Sequence, residues 1–231
     1  MKIESIVDQA ERYIREWVVT GKFKPGQQIK EEEISQRLGV SRPPVREALK
    51  LLEATGLVIR KPRRGVFVPE MTDKDMWEVY TLKATLYEMA TALAMDVISE
   101  QEIKKLEFAV GKMELCVAKD PVDLLRYQEL HKAFHNNIMV IAGNDRLKTF
   151  ASNLHNQVTP FSYKSLQNKN HLNSSVRYHR EIVSAIKEKD MSLACSLMKE
   201  HVLNALDVLL DMSAIRSGTH TGLLLQEAAA V

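Results

Sequence analysis

Gly39-Val40-Ser41-Arg42-Pro43-Pro44-Val45-Arg46-Glu47-Ala48-Leu49 is the stretch whose reading decides the fold. Gly39-Val40 makes a tight turn, and Ser41 is a good N-cap for a helix over Arg42–Ala54. Pro43 and Pro44 fall in the first turn of that helix, where a missing N–H has no intrahelical partner to lose. Just upstream, Glu31–Leu38 reads as a short helix with Glu31, Glu32 and Glu33 in its first turn, where the helix dipole favours anions. Downstream, Gly56 ends the second helix, and two β-like runs follow, Leu57–Arg60 and Val66–Val68. They are joined by Lys61-Pro62-Arg63-Arg64-Gly65, a hairpin with a basic tip. Before all this, apolar residues from Ile3 to Val18 recur at helical spacing up to Thr20, and Lys24-Pro25-Gly26 makes a turn.

Helix, tight turn, helix and basic hairpin make a winged helix-turn-helix. A recognition helix enters the major groove with its N-terminal residues leading, so base-reading side chains belong in its first two turns. Arg42 and Arg46, four residues apart, share one face, and the guanidinium fork suits guanine or phosphate. Ser41 and the free N–H groups of the turn containing Pro43 can hold a phosphate. At the wing tip, Arg63 and Arg64 can approach the backbone or minor groove, with Gly65 permitting close contact. The charge distribution agrees. Residues 1–70 carry 14 Lys/Arg against 10 Asp/Glu, whereas the 231-residue chain has a net charge of only +2. A local basic excess is what phosphate binding requires, although a solvated charged face would give the same count.

Beyond residue 70 the pattern is entirely helical. Thr72 with Asp75 opens a helix to about Ile98, and Ser99 with Glu102 opens another to about Lys119. Asp120-Pro121 starts a third that ends near Gly143, and Asn144 starts a fourth that Pro160 kinks or ends. The polar stretch Gln167–Asn173 reads as a loop, followed by helices over Ser174–Lys189 and Asp190–Met212. The expected architecture is therefore mainly α. Residues 1–70 form the winged helix-turn-helix, residues 71–213 an all-α helical bundle, and residues 214–231 a flexible tail with a short helix at Leu223–Ala229.

The composition, 45% hydrophobic and 27% charged, is that of an ordinary globular protein, and no apolar run reaches the length of a membrane span. The N-terminal segment is an acidic amphipathic helix, unlike a signal peptide. Two cysteines, Cys116 and Cys195, lie inside helical segments, so a disulfide framework is not expected and a cytoplasmic location is.

Histidines mark the second domain. His131 and His135 are four apart and project from one helix face, a spacing that chelates a metal or simply places two residues on a surface. His179 and His201 lie on the last two long helices; if those pack against the first, four imidazoles converge in the core.

Two resemblances add to this. Lys24-Pro25-Gly26, the stretch Gly39–Leu49, Gly56-Leu57-Val58 and Arg64-Gly65-Val66-Phe67-Val68 together resemble the GntR-family DNA-binding domain over residues 3–69. This implies operator contacts from Arg42 and Arg46, helped by Gly65. Many relatives have an Arg where this chain has Glu32, so one contact is absent or the operator differs. Leu130-His131-Lys132-Ala133-Phe134-His135, Ala142-Gly143-Asn144, Tyr178-His179-Arg180-Glu181-Ile182 and Met198-Lys199-Glu200-His201-Val202 resemble the FadR C-terminal (FCD) domain over residues 75–212. In metal-binding members an Asp and three His hold a divalent ion at the floor of an effector cavity. His135, His179 and His201 match the three His, and His131 stands at the Asp position.

That replacement leaves a bound divalent ion one unit more positive, which favours an anionic effector. Four imidazoles suit zinc, copper or nickel better than magnesium or calcium, with zinc or nickel expected. Lys83 stands where relatives commonly place an effector-facing Arg, one turn before Tyr87, and is either an effector contact or a solvated lysine. The expected protein is a homodimeric transcriptional regulator, a repressor, on a palindromic double-stranded operator. A divalent transition metal and a small organic acid effector would set its grip. A metal sensor in which the ion itself is the signal, and a metalloenzyme, are the other readings; the latter lacks an HExxH-type base.

Overall fold

A computed structural model describes residues 5–217. Of these, residues 5–71 with 149–164 form one compact unit, and residues 72–148 with 165–217 form the other.

In the first unit, α1 (Ile6–Val19) starts on a capping box. Ser5 Oγ accepts from the Asp8 amide and the Asp8 carboxylate accepts from the Ser5 amide, each at 3.1 Å. Its apolar stripe, Ala10, Ile14 and Val18, is buried against α3 (Arg42–Ala54), which contributes Val45, Ala48, Leu49 and Leu52. Between them α2 (Glu31–Leu38) buries only Ile34 and ends on Gly39, whose φ of 66° is the left-handed conformation that lets the chain turn directly into α3. Ser41 occupies the N-cap position in extended conformation, but its side chain makes no capping hydrogen bond. Its expected role as a cap is thus not filled; the prolines of the first turn already set the helical φ there.

The wing is a three-stranded antiparallel sheet in the order β1 (Gln28–Ile29), β3 (Gly65–Phe67), β2 (Ile59–Lys61). Val66 pairs with Ile29 on one side and Arg60 on the other. A two-residue strand has no periodicity to read, so β1 was not expected. Leu57 and Val58 are buried core residues that precede β2. Gly65 has a φ of 99°, and a Cβ there would lie 2.9 Å from Gln28 Nε2, which donates to the Arg64 carbonyl at 2.7 Å. The Gln28 amide can shift, so it is the left-handed φ that calls for glycine here, independently of any contact with DNA.

The second unit is a helical bundle. α4 (Asp73–Met95) packs on α9 (Met191–Ser217) and α6 (Leu124–Ile141), while α5 (Glu100–Val117) packs on α6 and α8 (Lys169–Lys187). Capping boxes at Thr72/Asp75 and Ser99/Glu102 open α4 and α5 as expected. α6 instead begins after Asp123, whose carboxylate accepts from the Arg126 amide at 3.0 Å. α7 (Asp145–Leu166), whose residues 149–164 belong to the first unit, runs on through Pro160. One lost hydrogen bond does not end a long helix that other contacts hold. α8 starts at Lys169, with the Asn168 side chain accepting from the Asn170 and His171 amides, so the expected loop at residues 167–173 is mostly helix. Its buried stripe includes His171 and Ser175 beside Leu172 and Val176, and these polar core residues hid the helical period. α9 extends through Ser217, so residues 214–217 of the expected tail are helical; the helix expected at Leu223–Ala229 lies outside the described residues. Cys116 and Cys195 are free thiols. Among the described residues no helix is long and apolar enough to cross a membrane.

Candidate nucleic-acid surface and metal centre

The residues expected to read DNA lie together on the exposed leading end of α3. Ser41, Arg42, Pro43 and Arg46 are all exposed, as are Arg63 and Arg64 at the wing tip. Arg63 sits in the left-handed region, with φ of 59°, at the turn of the hairpin. Arg64 stands 5.8 Å and Lys61 4.8 Å from the ring of Phe67.

Both arginines, Arg42 and Arg46, are engaged by the first turn of α2. Arg46 donates through Nε to both carboxylate oxygens of Glu31, at 3.1 and 3.2 Å, and through Nη2 to Oε2 at 2.8 Å. The hydrogen bonds from Arg46 hold the Glu31 carboxyl below the usual carboxylate range. Arg42 Nη2 lies 2.8 Å from Glu32 Oε1. Sequence reasoning placed these glutamates as dipole-stabilising acids and missed the pairs; the only local signal is their place in the turn facing α3.

In the second unit, His131 and His135 of α6, His179 of α8 and His201 of α9 bring one ring nitrogen each to within 4.8 Å of one another. The Nε2 atoms of His131, His135 and His201 form a triangle with sides of 3.2, 3.3 and 3.3 Å, and His179 Nε2 is 3.2 Å from that of His135. A tetrahedral shell with metal–nitrogen bonds of ~2.0–2.1 Å has edges of about 3.3–3.4 Å. The triangle therefore matches one face of a zinc-like tetrahedral shell, and His179 stands at the matching edge length from His135. His135, His179 and His201 are buried and His131 half-buried. Burial, reinforced by the neighbouring imidazoles, holds His135 and His201 well below the ordinary histidine range, and burial alone lowers His179 to about 4. They are neutral at pH 7, the form that ligates. Nδ1 of His135 and of His201 is buried with no hydrogen-bond partner among the described residues.

Aromatic rings wall the cluster. Phe134 lies 4.8 Å from the His179 ring, and Tyr87 lies 5.0 Å from that of His135. Lys83 is buried, not solvated, with Nζ 5.3 and 5.0 Å from the rings of Tyr80 and Tyr87. No carboxylate pairs with it among the described residues, and burial pulls it down to about 8. Its charge reaches His135 and His201. Two further polar pairs, one buried and one half-buried, lie in the bundle and were not foreseen. Tyr127 donates to Ser175 Oγ at 2.9 Å, and His171 Nδ1 meets Asn204 Oδ1 at 3.1 Å.

A helix-turn-helix with a basic wing, joined in one chain to a helical bundle, defines a two-part transcriptional regulator. The chain belongs to the gntR family of bacterial regulatory proteins: residues 6–68 match that family and residues 78–204 match the FCD domain. It is 28% identical over 192 residues to the HTH-type transcriptional regulator YdhC of Bacillus subtilis (strain 168), covering 82% of this chain and 83% of that one. It is 21% identical over 211 residues to the HTH-type transcriptional repressor GlaR of Escherichia coli (strain K12), covering 86% and 93%. The solved structure of E. coli McbR/YncC superposes with a TM-score of 0.76 at 21% identity, over 90% of this chain and 99% of that one, and shares the fold. The family and these relatives are regulators of transcription, not enzymes, which removes the metalloenzyme reading.

Proposed function

We propose that this protein is a cytoplasmic transcriptional repressor, acting as a homodimer on a palindromic operator. Its DNA grip is set by a small organic acid bound at a divalent transition metal, zinc or nickel. The observation that carries this reading is the convergence of four buried or half-buried histidine nitrogens in a unit that also buries an ammonium with no carboxylate partner among the described residues. His131, His135, His179 and His201 would hold the ion, which supplies a Lewis-acidic positive centre to which a carboxylate oxygen binds. Four neutral ligands leave the ion's full double charge uncompensated. Lys83 adds a further positive charge in surroundings where burying an ion costs several kcal/mol. An organic anion relieves both. A pure metal sensor would leave Lys83 with only the ring faces of Tyr80 and Tyr87 and no carboxylate among the described residues, which favours the effector reading.

The repressor assignment draws on relatives such as GlaR, whose name says as much. Pairing follows from DNA reading, since one short helix covers too little of an operator, and two must be spaced by about one turn, ~34 Å. The face of α4 bearing Leu82, Leu86, Met89 and Leu93 supports the dimer: Leu82 and Met89 are each 53% exposed, and the spacing repeats at three and four residues. The test is thermal melting of untagged protein, with and without zinc, against a panel of small carboxylates. A carboxylate that raises the melting temperature only in the presence of metal supports the reading; no metal uptake at all refutes it.

A further inference from the structure

Glu32 and Arg42 form an ion pair on the surface that the proposed function turns toward DNA. Arg42 is the first residue of α3 and Glu32 the second of α2; their side chains are 56% and 63% exposed, with Nη2 to Oε1 at 2.8 Å. The neighbouring pair is built differently. Glu31 is only 28% exposed and grips the Nε and Nη2 atoms of Arg46, whose side chain is 52% exposed. Glu31 therefore braces Arg46 from behind. Glu32 instead stands out beside Arg42, 63% exposed, and its contact with that guanidinium runs from one nitrogen, Nη2, to Oε1 alone.

An exposed carboxylate facing phosphates weakens binding unless a base donates to it. In the major groove two bases offer an exocyclic amine. Adenine N6 stands beside the acceptor N7 of the same base, which repels a carboxylate, whereas cytosine has no acceptor on its own major-groove edge beside N4. Arginine has the complementary preference, donating to guanine O6 and N7. We infer that Glu32 is a specificity-determining residue: it accepts from the N4 amine of a cytosine in each half-site, next to or paired with the guanine that Arg42 reads. The same charge neutralises Arg42 toward the backbone, so sequence choice is gained and sequence-independent attraction is lost. This rests on α3 being the recognition helix.

Selection from a random-sequence duplex pool by the full-length protein tests it, run in parallel with Glu32→Gln and Arg46→Ala. The wild type should enrich a motif with one guanine–cytosine position per half-site that Glu32→Gln relaxes or shifts to adenine, since glutamine pairs with adenine N6 and N7. Discrimination at that position should fall ~10-fold or more, with the other positions unchanged. On a fixed duplex lacking the motif, Glu32→Gln should bind more tightly and steepen the log affinity against log salt slope by about one unit. If Glu32→Gln enriches the wild-type motif at every position, with only an altered affinity, Glu32 merely supports Arg42 and the inference fails. If the wild type enriches no motif, or Arg46→Ala enriches the same one, the recognition-helix assignment itself falls, and this inference with it.

Discussion

Nδ1 of His179 lies 2.6 Å from the backbone carbonyl oxygen of Ser175, one helical turn back on α8. A carbonyl can only accept, so Nδ1 carries the proton and Nε2 presents its lone pair to the other three imidazoles. His179 is thus set in its ligating tautomer by its own helix. Untagged protein should contain, or take up, one equivalent of zinc or nickel per chain by elemental analysis, and chelation should lower its melting temperature. His135→Ala or His179→Ala should reduce metal affinity 10-fold or more while the helical circular dichroism spectrum persists. Wild-type affinity in both variants would refute the centre.

Acidity should act on the cluster with a defined sign. Unfolded histidines protonate near pH 6.5, while burial holds His179 at about 4 and His135 and His201 well below their ordinary range. As pH falls from 7.5 to 5, the unfolded chain binds protons that the folded chain does not, so metal-free stability should fall over that window. The melting temperature of metal-free protein checks this, and replacing His179 with Ala should make the decline shallower. Because the folded imidazoles are already deprotonated, the stabilisation by added zinc should persist at pH 6. Its disappearance by pH 6.5 would contradict the buried, neutral state of these ligands.

Replacing Lys83 with Met separates fold from function. The ammonium is buried between Tyr80 and Tyr87 and has no carboxylate partner among the described residues. Its lowered pKa corresponds to a folding cost on the order of 3 kcal/mol at neutral pH, an upper figure that relaxation will reduce. Lys83→Met should therefore raise the melting temperature of the ligand-free protein while weakening any carboxylate-induced shift. A variant that melts lower, or that responds to carboxylates as the wild type does, excludes Lys83 as the effector contact.

Arg46→Ala should abolish selective operator binding, with loss of ~10- to ~100-fold discrimination, while the fold stays intact. The side chain is exposed, so its removal leaves no cavity. A competition assay at fixed salt between operator and unrelated duplex reads this directly. Equal selectivity in the variant would show that α3 is not the reading element.

Met89→Glu, on the exposed face of α4, should shift the protein toward monomer in sedimentation at micromolar concentration and weaken operator binding in parallel. A wild-type protein that is monomeric yet binds its operator with full affinity would overturn the dimer assignment.

What the chain determined by itself was local. The Ser99/Glu102 and Thr72/Asp75 boxes, the left-handed Gly39, and the prolines of α3 act within a turn or two, so their consequences follow from adjacent residues. The same locality put His131 and His135 on one face. Tertiary structure decided the rest. His131 meets His201 across 70 residues, and His135 meets His179 across 44, because α6, α8 and α9 enclose one core; spacing along the chain carries no information about that closure. The Glu31–Arg46 pair spans 15 residues and depends on the angle that Gly39 allows between α2 and α3. Lys83 is indistinguishable in sequence from a solvated lysine, and α8 was obscured because its buried stripe includes His171, Ser175 and His179. Hydrophobic periodicity finds a helix by what it expels from water, so a helix that buries polar groups for a purpose becomes legible only when its neighbours are in place.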